Sequence, residues 1–366
     1  MRAGAPDEVL SGSCGWSPVV ASWLGGSLLA DSIPVLGGRV TAQVSQEVPE
    51  RLRLAVPAES VVDGRRFSWR PGSDATHPLA RYGQELQVSI VVSSAAAPES
   101  TYQWETRIGR FLITDWDDGD DGTIEVTAEG RLRRVKDAQL TTPMQPLSGG
   151  TLISEARRLL PAGVSAAFDP ALVNRACPSG MAWSDSRLDA LQEIADAWPA
   201  LLRTDEWGQV VFRAPLPAVP TPTLTIRDGE RGTVEKVARS DTRSGAYNQI
   251  VAESSASGVE DVQAIAQQTS GPMSVSGEYG PVTKRWSSPL ITNAIQARRS
   301  AQTMLENSLL PATSVPVTCA PDPRVDLDDA VEVLRDGERF WGWVTGYDLP
   351  LTVEDGSMRV DVGVQP

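Results

Sequence analysis

The stretch GRFLITDWDDGDDGTIEVTAEGR, residues 109–131, decides the fold class of this chain. Apolar and polar residues alternate before and after its acidic middle, and this period of two predicts two strands that each bury one face. Between them, Gly119 and Gly122 are predicted to adopt positive φ angles, and the aspartates to accept hydrogen bonds from nearby backbone amides. The stretch therefore predicts a β-hairpin that closes through an acidic turn.

The acidic middle raises two other hypotheses, a calcium loop and a catalytic site. Its carboxylates belong to Asp115, Asp117, Asp118, Asp120 and Asp121. An EF-hand loop starting at Asp117 would place Gly119 at position 3 and Ala128 at position 12, where oxygen ligands are needed. Catalytic carboxylates need rigid, partly desolvated walls, which a tip between two glycines lacks. The favoured interpretation is a solvated turn, and a calcium site of another kind stays an alternative.

The rest of the first 143 residues carries the same strand pattern. Alternation with period two recurs in residues 39–48, 50–59 and 84–94. After Pro143 the apolar spacing becomes helical, and helices are predicted to begin at Thr151 and near Ser184 or Asp185, which are favourable N-cap residues. A hairpin with its turn at Asp205–Gly208 is predicted to follow.

The pattern changes again after this hairpin. Four prolines between Pro215 and Pro222 predict a stiff linker or an edge segment. Residues 223–290 return to short strands between Ser- and Gly-rich loops. A third helix is predicted after Thr292 as its cap, and residues 312–366 are predicted to be strands.

One sequence pattern occurs twice. The first copy consists of Arg110–Phe111, Thr114–Trp116 and Asp121–Ala128, and the second of Arg339–Phe340, Thr345–Tyr347 and Asp355–Val362. Each copy predicts a strand, an aromatic exit, a turn and an alternating return strand. We therefore predict a mainly β fold with an α+β insert and two related β-barrel-like domains. The predicted divisions are 1–143 for the N-terminal β-barrel-like domain, 144–222 for the insert, 223–311 for a second β-region that ends in a helix, and 312–366 for the strands that complete the second β-barrel-like domain.

Charge and cysteine content restrict the function classes. The chain carries 33 Lys and Arg against 47 Asp and Glu, and its net charge of −14 disfavours a surface that grips nucleic acid. Cys14, Cys177 and Cys319 are odd in number and far apart, so neither a disulfide framework nor a zinc site is expected. Cys177 is interpreted as a small buried residue. No apolar run approaches the roughly 18 residues of a membrane-spanning helix.

Other chemically capable residues have structural interpretations. Four aspartates are interpreted as a solvated loop: Asp322, Asp326, Asp328 and Asp329. Arg157 and Arg158 are interpreted as the wet face of a helix. His77, the single histidine, lies in a loop-like segment and is not expected to be catalytic. No catalytic, cofactor-binding or metal-binding residue is predicted.

Several segments resemble, in their order along the chain, minor tail proteins of actinobacterial long-tailed phages. They are GRVTAQVSQEVPERLRLAVPAE, ARYGQELQVSIVV, GRFLITDW, GTIEVTAEGRLRRVKDAQL, SDSRLDALQEIADAWPALLRTDEWGQVVF and APDPRVDLDDAVEVLRDGERFWGWVTGYDLPL. The resemblance is to tail hubs, a class that includes the baseplate hub of contractile tails and the N-terminal part of tail-associated lysins. In the last segment, Asp328–Asp329 stand where such hubs often carry Gly-Asp.

The resemblance implies a structural protein without catalytic activity and without a cofactor. Such hubs are homotrimers that close the tail tube at the virion tail tip after assembly in the host cytoplasm. Each subunit carries two similar β-domains, so three chains form a pseudo-sixfold ring. The implied partners are distal tail and tail-tube ring proteins, the tape-measure protein, and tail fibres or receptor-binding proteins. DNA is expected to pass along an acidic lumen without specific binding, and no membrane insertion is expected.

Two other functions stay open at this point. A virion-associated peptidoglycan hydrolase is disfavoured by the single histidine and by the absence of a paired carboxylate in a cleft-like context. A carbohydrate-binding tail protein would use Trp341 or Trp343, which share one face of a predicted strand. The same pair also suits a protein interface or core packing.

Overall fold

The computed structural model describes residues 1–62, 64–94, 102–177, 182–217, 219–238, 243, 246–255, 262–288, 291–312 and 314–364. The strands are β1 Cys14–Leu24, β2 Ser27–Ala30, β3 Gly37–Gln43, β4 Glu50–Pro57, β5 Glu59–Val62, β6 Arg65–Ser68, β7 Gln84–Ser94, β8 Gln103–Asp118, β9 Thr123–Gly130, β10 Ala166–Phe168, β11 Leu201–Thr204, β12 Val210–Arg213, β13 Leu224–Arg227, β14 Val234–Val237, β15 Gln249–Ser254, β16 Gln263–Gln267, β17 Thr283–Ser288, β18 Ser314–Cys319, β19 Ala330–Arg335, β20 Glu338–Pro350 and β21 Met358–Gly363. The helices are α1 Asp7–Leu10, α2 Leu132–Asp137, α3 Leu152–Leu159, α4 Arg187–Ala197 and α5 Ala294–Ala312. Over the described ranges, no helix is long and apolar enough to cross a membrane.

Thirteen strands join in one sheet around a shared core. The order is β14-β18-β21-β20-β3-β4-β9-β8-β7-β1-β2, and β19 joins β13 to β20 beside this path. The alternation in the sequence decides which face lies inside, since Leu52, Leu54 and Val56 of β4 are buried while the residues between them are not. Val126 and Val360 lie in the same core although they come from distant parts of the chain.

Five neighbouring strands of this sheet occur twice. The first set has the order β3-β4-β9-β8-β7 and the second the order β14-β18-β21-β20-β19. Every neighbouring pair within each set is antiparallel, and the strands follow one another along the chain in the same sequence. We call these sets the first and the second β-unit. The predicted fold class is confirmed, because the chain is mainly β with an α+β part and two related β-units.

The α+β part packs around a core of its own. Helices α3 and α4 and the sheet β10-β12-β11 enclose Trp198 and Phe212. The predicted hairpin is present as β11 and β12, and Gly208 in its turn has a φ of 78°. The predicted cap of α3 is also confirmed, because the Thr151 hydroxyl accepts a hydrogen bond from the Ser154 amide.

The predicted cap of α4 is wrong by one or two residues. The helix is capped by Ser186, whose hydroxyl accepts a hydrogen bond from the Asp189 amide at 3.0 Å. Ser184 and Asp185 instead form a local turn, in which the Asp185 carboxylate accepts hydrogen bonds from the Ser184 hydroxyl and the Ser186 amide. Three good cap residues stand in a row here, so composition alone does not select among them.

Helix α5 packs against the small sheet β16-β15-β17 through a narrow apolar stripe that includes Ala301 and Leu305. Its predicted cap, Thr292, is wrong by one residue. Asn293 accepts the hydrogen bond from the Gln296 amide at 3.0 Å, whereas Thr292 binds the Gln296 side chain. Asn is as favourable an N-cap as Thr and stands one residue closer to the helix.

The acidic hairpin forms between β8 and β9, with one difference from the prediction at its turn. Gly122 has a φ of 80°, but Gly119 does not lie in the left-handed region. A Cβ atom at Gly119 would lie 2.8 Å from Oδ1 of Asp121 and 3.1 Å from the carbonyl oxygen of Thr123. A side chain at 119 would therefore displace the Asp121 carboxylate and press on the Thr123 carbonyl, and the predicted positive φ at that position is wrong.

The proline-rich segment between β12 and β13 forms no helix or strand in its described residues. Leu216 packs against Ala330 and Trp343, and the Thr223 amide donates to the Ala330 carbonyl at 3.0 Å. The segment therefore lies against the start of β19 and part of β20, which favours the edge interpretation over a free linker.

Candidate assembly interface

The five aspartates of the acidic hairpin are exposed and make local contacts. Asp118 pairs with Arg70 at 2.6 Å, and the Asp121 carboxylate accepts a hydrogen bond from the Thr123 amide at 3.0 Å. Across the described ranges, no group of three or more His, Cys, Asp or Glu side chains is arranged to hold a metal ion. The five aspartates therefore lie at a solvent-exposed end of the hairpin.

The second group of aspartates is not a solvated loop, so that prediction is wrong. Three of its members pair with cations brought from elsewhere in the chain, and Asp322 pairs with Arg324 of the same loop. Asp329 is buried against the amino group of Met1, and burial raises the pKa of its carboxyl. Asp328 binds the Arg203 guanidinium through both carboxylate oxygens, at 2.7 and 3.1 Å. Such bidentate pairs fix geometry as well as charge.

Arg2 connects the start of the chain to this loop and to β20. It is buried, and it donates to the Asp326 carboxylate at 2.9 Å and to the Tyr347 hydroxyl at 2.8 Å. Burial raises the pKa of Tyr347 to about 12, so the hydroxyl stays protonated. Glu50 accepts a hydrogen bond from Thr204, and burial raises the pKa of Glu50. The network holds the two β-units and the α+β part together at one place.

His77 and the cysteines occupy structural positions. Nε2 of His77 lies 3.0 Å from the Ser68 carbonyl oxygen, and Nδ1 accepts a hydrogen bond from the Leu79 amide at 3.2 Å. Cys177 and Cys319 are buried, and burial raises the pKa of each thiol to about 12. A protonated, buried thiol is a poor nucleophile. The interpretation of Cys177 as a small buried residue is confirmed.

The two arginines of α3 differ from each other. Arg157 is exposed, as predicted for the wet face of the helix. Arg158 instead donates at 2.8 Å to Glu155, whose side chain is buried. The wet-face prediction is therefore wrong for Arg158, because a buried carboxylate needs a cationic partner.

The two tryptophans of β20 differ in exposure. Trp343 is 7% exposed beneath Leu216, whereas Trp341 is 46% exposed with the Arg339 guanidinium 5.6 Å from its ring. Both line a groove of about 720 Å³. A sugar-stacking platform needs exposed ring faces, and of this pair only Trp341 presents one.

The long hairpins of the two β-units can be aligned because each contains one β-bulge. The extra residue is Thr114 in the β8–β9 pair and Thr345 in the β20–β21 pair. Residues 115–118 therefore correspond to residues 346–349, and β3 corresponds to β14. The Arg-Phe pairs of the repeated pattern do not correspond, because Phe111 lies three residues before its bulge and Phe340 five. That part of the predicted repeat is wrong.

Within the chain, the two β-units are joined where β20 pairs with β3. Gly346–Pro350 form an antiparallel ladder with Arg39–Gln43. Arg39 also binds the Asp348 carboxylate across the ladder. Tyr347 and Leu349 are buried at this joint. We call this ladder the internal joint.

The corresponding side of β8 carries no strand in the described chain. Strand β7 leaves β8 at Leu112, and of the described strands only β9 continues along β8 as far as Asp118. A groove of about 420 Å³ opens beside Leu112–Thr114. In the second unit the end of β3 takes this place, and the Val44 amide donates to the Thr345 carbonyl at 2.9 Å. Among the described residues, the first unit therefore presents an open strand edge, a feature that pairs readily with another strand.

Comparison with solved structures supports the architecture. A tail protein from Neisseria meningitidis MC58 has a TM-score of 0.61 at 12% identity, over 95% of this chain and 97% of its own. The 43 kDa tail protein of prophage MuSo2 from Shewanella oneidensis has a TM-score of 0.58 at 14% identity, over 95% and 98%. The chain has the fold of prophage tail proteins.

A third tail protein extends the same result to another bacterial group. Prophage tail protein gp18 from Listeria monocytogenes EGD-e has a TM-score of 0.51 at 10% identity, over 95% of this chain and 94% of its own. No protein-family model and no curated protein matches the sequence. The likeness therefore lies in the backbone and the order of strands, and it covers nearly the whole chain.

Proposed function

We propose that this chain is a structural tail-tip hub, a minor tail protein that closes the tail tube and links the tail rings to the host-facing tip. The observation that carries the proposal is the duplicated five-strand β-unit within the fold of prophage tail proteins. Two like units per chain let a homotrimer present six like units, which matches a hexameric ring. We also assign the chain to actinobacterial long-tailed phages and to the relatives of tail-associated lysins. This narrower assignment rests on the sequence segments quoted above.

The proposal includes a location and partners. The hub assembles in the host cytoplasm and ends at the virion tail tip, between distal tail or tail-tube ring proteins and tail fibres or receptor-binding proteins. The tape-measure protein ends at the same place. The divisions 1–143, 144–222, 223–311 and 312–366 are part of the proposal. Separate apolar clusters centred on the insert and on residues 246–309 support two of them, whereas the strands of the first and last divisions share one core.

We propose no catalytic role for this chain. The residues with suitable chemistry are engaged elsewhere: His77 holds a loop together, and the buried aspartates pair with cations. Incubation with purified peptidoglycan is expected to release no fragments, and release would favour the hydrolase alternative. Retention on a glycan array, lost in Trp341→Ala, would favour the carbohydrate-binding alternative.

The proposed ring also has an acidic inner wall. The net charge of −14 must lie mainly on surfaces, because unpaired buried carboxylates are costly. A wall of the same sign as DNA lets the duplex pass without binding. The purified protein is therefore expected not to bind duplex DNA at low salt, and tight binding would contradict an acidic wall.

The test of the proposal is the symmetry of the assembly. Mass photometry at increasing concentration and cryo-electron microscopy are expected to show a trimer whose ring contains six similar β-units. A chain that stays monomeric at high concentration, or that forms rings of another symmetry, would overturn the hub assignment.

A further inference from the structure

We propose that Glu193 and Asp196 of helix α4 form a proton-controlled latch between the α+β part and the part of the chain built by α5 and its sheet β16-β15-β17. We call the second of these the α5 part. The two parts stay together while the carboxyls carry protons, and the contact opens when the carboxyls ionise. The latch lies within one chain, so it goes beyond the proposed hub and does not depend on the trimer.

The two parts have separate apolar cores that meet at Trp286 of β17. This side chain is partly buried and packs against both cores. Beside it, the hydroxyl of Ser288 at the end of β17 donates a hydrogen bond to Oε1 of Glu193 at 3.0 Å. Helices α4 and α5 also lie against each other. Because each part keeps a core of its own, the contact can open locally without unfolding either part.

The two carboxyls lie on the same face of α4, since residues three apart are neighbours on a helix. Both side chains are partly buried at the contact. Burial raises the pKa of each carboxyl, and that of Asp196 rises to about 6. The charge of Asp196 raises the pKa of Glu193 further, because like charges repel. Ionisation is therefore unfavourable while the contact is closed.

The groups that favour the charged forms are few. Lys284 of β17 is exposed and lowers the pKa of Asp196, and its ammonium also lies 5.8 Å from the centre of the Tyr247 ring. Gln192 donates to Asp196 at 2.7 Å, as Ser288 does to Glu193.

Other charged groups lie on the remaining elements around α4. Among the described residues, the pKa of neither carboxyl is raised or lowered by Glu155, Arg158, Arg175 or Arg203, or by the charged side chains of α2 and α5. The thiol of Cys177, which Glu193 affects, has a pKa of about 12 and stays neutral. One exposed lysine therefore faces two partly buried carboxyls, which leaves burial as the dominant effect.

The direction of the pH dependence follows from the raised pKa. In the open contact water reaches the carboxyls, and their pKa returns to the ordinary value of about 4. Protonation of Asp196 therefore favours the closed contact in full below about pH 4, and this effect is lost as the pH rises through about 6. The difference lowers the ratio of closed to open contact by up to about 100-fold, and Glu193 acts in the same direction.

A thiol placed in the contact measures the opening. Ser288 is buried and its side chain binds Glu193, so the thiol of Ser288→Cys reacts with a dipyridyl disulfide only when the contact opens. At each pH the labelling rate is divided by the rate of the same thiol in denaturant, because the thiolate fraction changes with pH. This quotient is the open fraction, and mass spectrometry assigns each label to its cysteine.

The open fraction at 288 is expected to rise by about tenfold or more between pH 4.5 and pH 8. With Glu193→Gln and Asp196→Asn added, it is expected to change less than about threefold, because neither group can ionise. Asp189→Asn is the matched control, an exposed carboxylate on the same helix, and it is expected to rise as the parent does. Lys284→Met is expected to enlarge the rise, because ionised Asp196 then lacks its nearby cation in the closed contact.

Two native cysteines distinguish the latch from general unfolding. Cys177 is buried in the core of the α+β part and Cys319 in the core of the β-units. At pH 8 the open fraction at 288 is expected to exceed that at either of them by about tenfold or more. Equal values at all three would show unfolding of the chain and overturn the latch. An open fraction at 288 that does not rise with pH, or that still rises in the variant without the two carboxyls, would overturn it as well.

Discussion

Thr114 and Thr345 occupy matched positions in two hairpins, one from each β-unit, and make the same hydrogen bond. Each is the extra residue of a β-bulge, and each hydroxyl donates at 3.1 Å to a carbonyl of the return strand. The acceptors, Thr127 and Asp361, are themselves matched positions of the two return strands. A bulge bends and twists its strand, so the same hydroxyl bond holds the same bend in both β-units.

The first prediction concerns these hydroxyls. Thr345→Val is expected to reduce the free energy of unfolding by about 1–2 kcal/mol, because the buried hydrogen bond to the Asp361 carbonyl is lost. Thr114→Val is expected to lower the free energy of unfolding by about 0.5 kcal/mol or less, since Thr114 is half-buried and water can take over the hydrogen bond of its hydroxyl. Thr345 itself is only 4% exposed. Urea denaturation of both variants measures the difference, and equal losses would show that burial does not decide the cost.

The hairpins could be predicted from the sequence because their information is local. Alternation of apolar residues fixes which face of β8 or β9 is buried, and the turn residues lie between the two strands. The space needed at Gly119 could not be predicted, since it depends on where the Asp121 carboxylate and the Thr123 carbonyl fall.

The contacts that join the β-units could not be predicted. Strands β3 and β20 come from opposite ends of the chain, and neither alternation pattern identifies its partner. The aspartates near residue 326 raised the same difficulty. Asp326 pairs with Arg2 and Asp328 with Arg203, at sequence separations of 324 and 125 residues, so a run of carboxylates resembled an exposed loop.

The second prediction separates charge from backbone conformation at Asp328. Its φ is 67°, a left-handed conformation that costs a non-glycine residue about 1 kcal/mol or more. Asp328→Ala is expected to lower the free energy of unfolding by about 3–5 kcal/mol, because Arg203 loses its buried partner. Asp328→Gly is expected to lower the free energy of unfolding by about 1 kcal/mol less than Asp328→Ala does, since glycine adopts this φ without strain. Thermal and urea unfolding of both variants provide the comparison, and a glycine variant no more stable than the alanine variant would contradict it.

The third prediction is a pH dependence from Asp196, near the end of α4. Burial raises the pKa of its carboxyl to about 6, although Gln192 donates to it at 2.7 Å. The folded pKa lies above the ordinary value of about 4, so ionisation opposes folding. The stabilisation by the protonated form is present in full below about pH 4 and is lost as the pH rises through about 6.

Asp196→Asn keeps the hydrogen-bond acceptor but cannot ionise. We expect it to match the wild type near pH 4 and to be more stable above pH 7 by about 2 kcal/mol. Melting temperatures between pH 4 and 8 measure this. A difference between variant and wild type that stays constant over this range would rule out Asp196 as the source.

The last prediction concerns the acidic hairpin end. Replacing Asp117, Asp118, Asp120 and Asp121 together by Asn is expected to leave the fold and the trimer in place. All four side chains are exposed, and such substitutions usually change stability by less than about 0.5 kcal/mol each. Among the described residues, these substitutions remove one ion pair, Asp118 with Arg70, which is itself exposed and contributes little. The backbone amides that face the open side of β8 are unchanged.

Melting curves with calcium and with chelator, together with mass photometry, measure both outcomes for this fourfold variant. The wild type is expected to melt at the same temperature with and without calcium, because the five aspartates are not gathered around a common centre and two of them accept hydrogen bonds from neighbouring amides instead. A calcium-dependent rise in the wild type that disappears in the variant would restore the calcium hypothesis. A variant that folds normally but no longer forms the trimer would show that these charges help to hold the chains together.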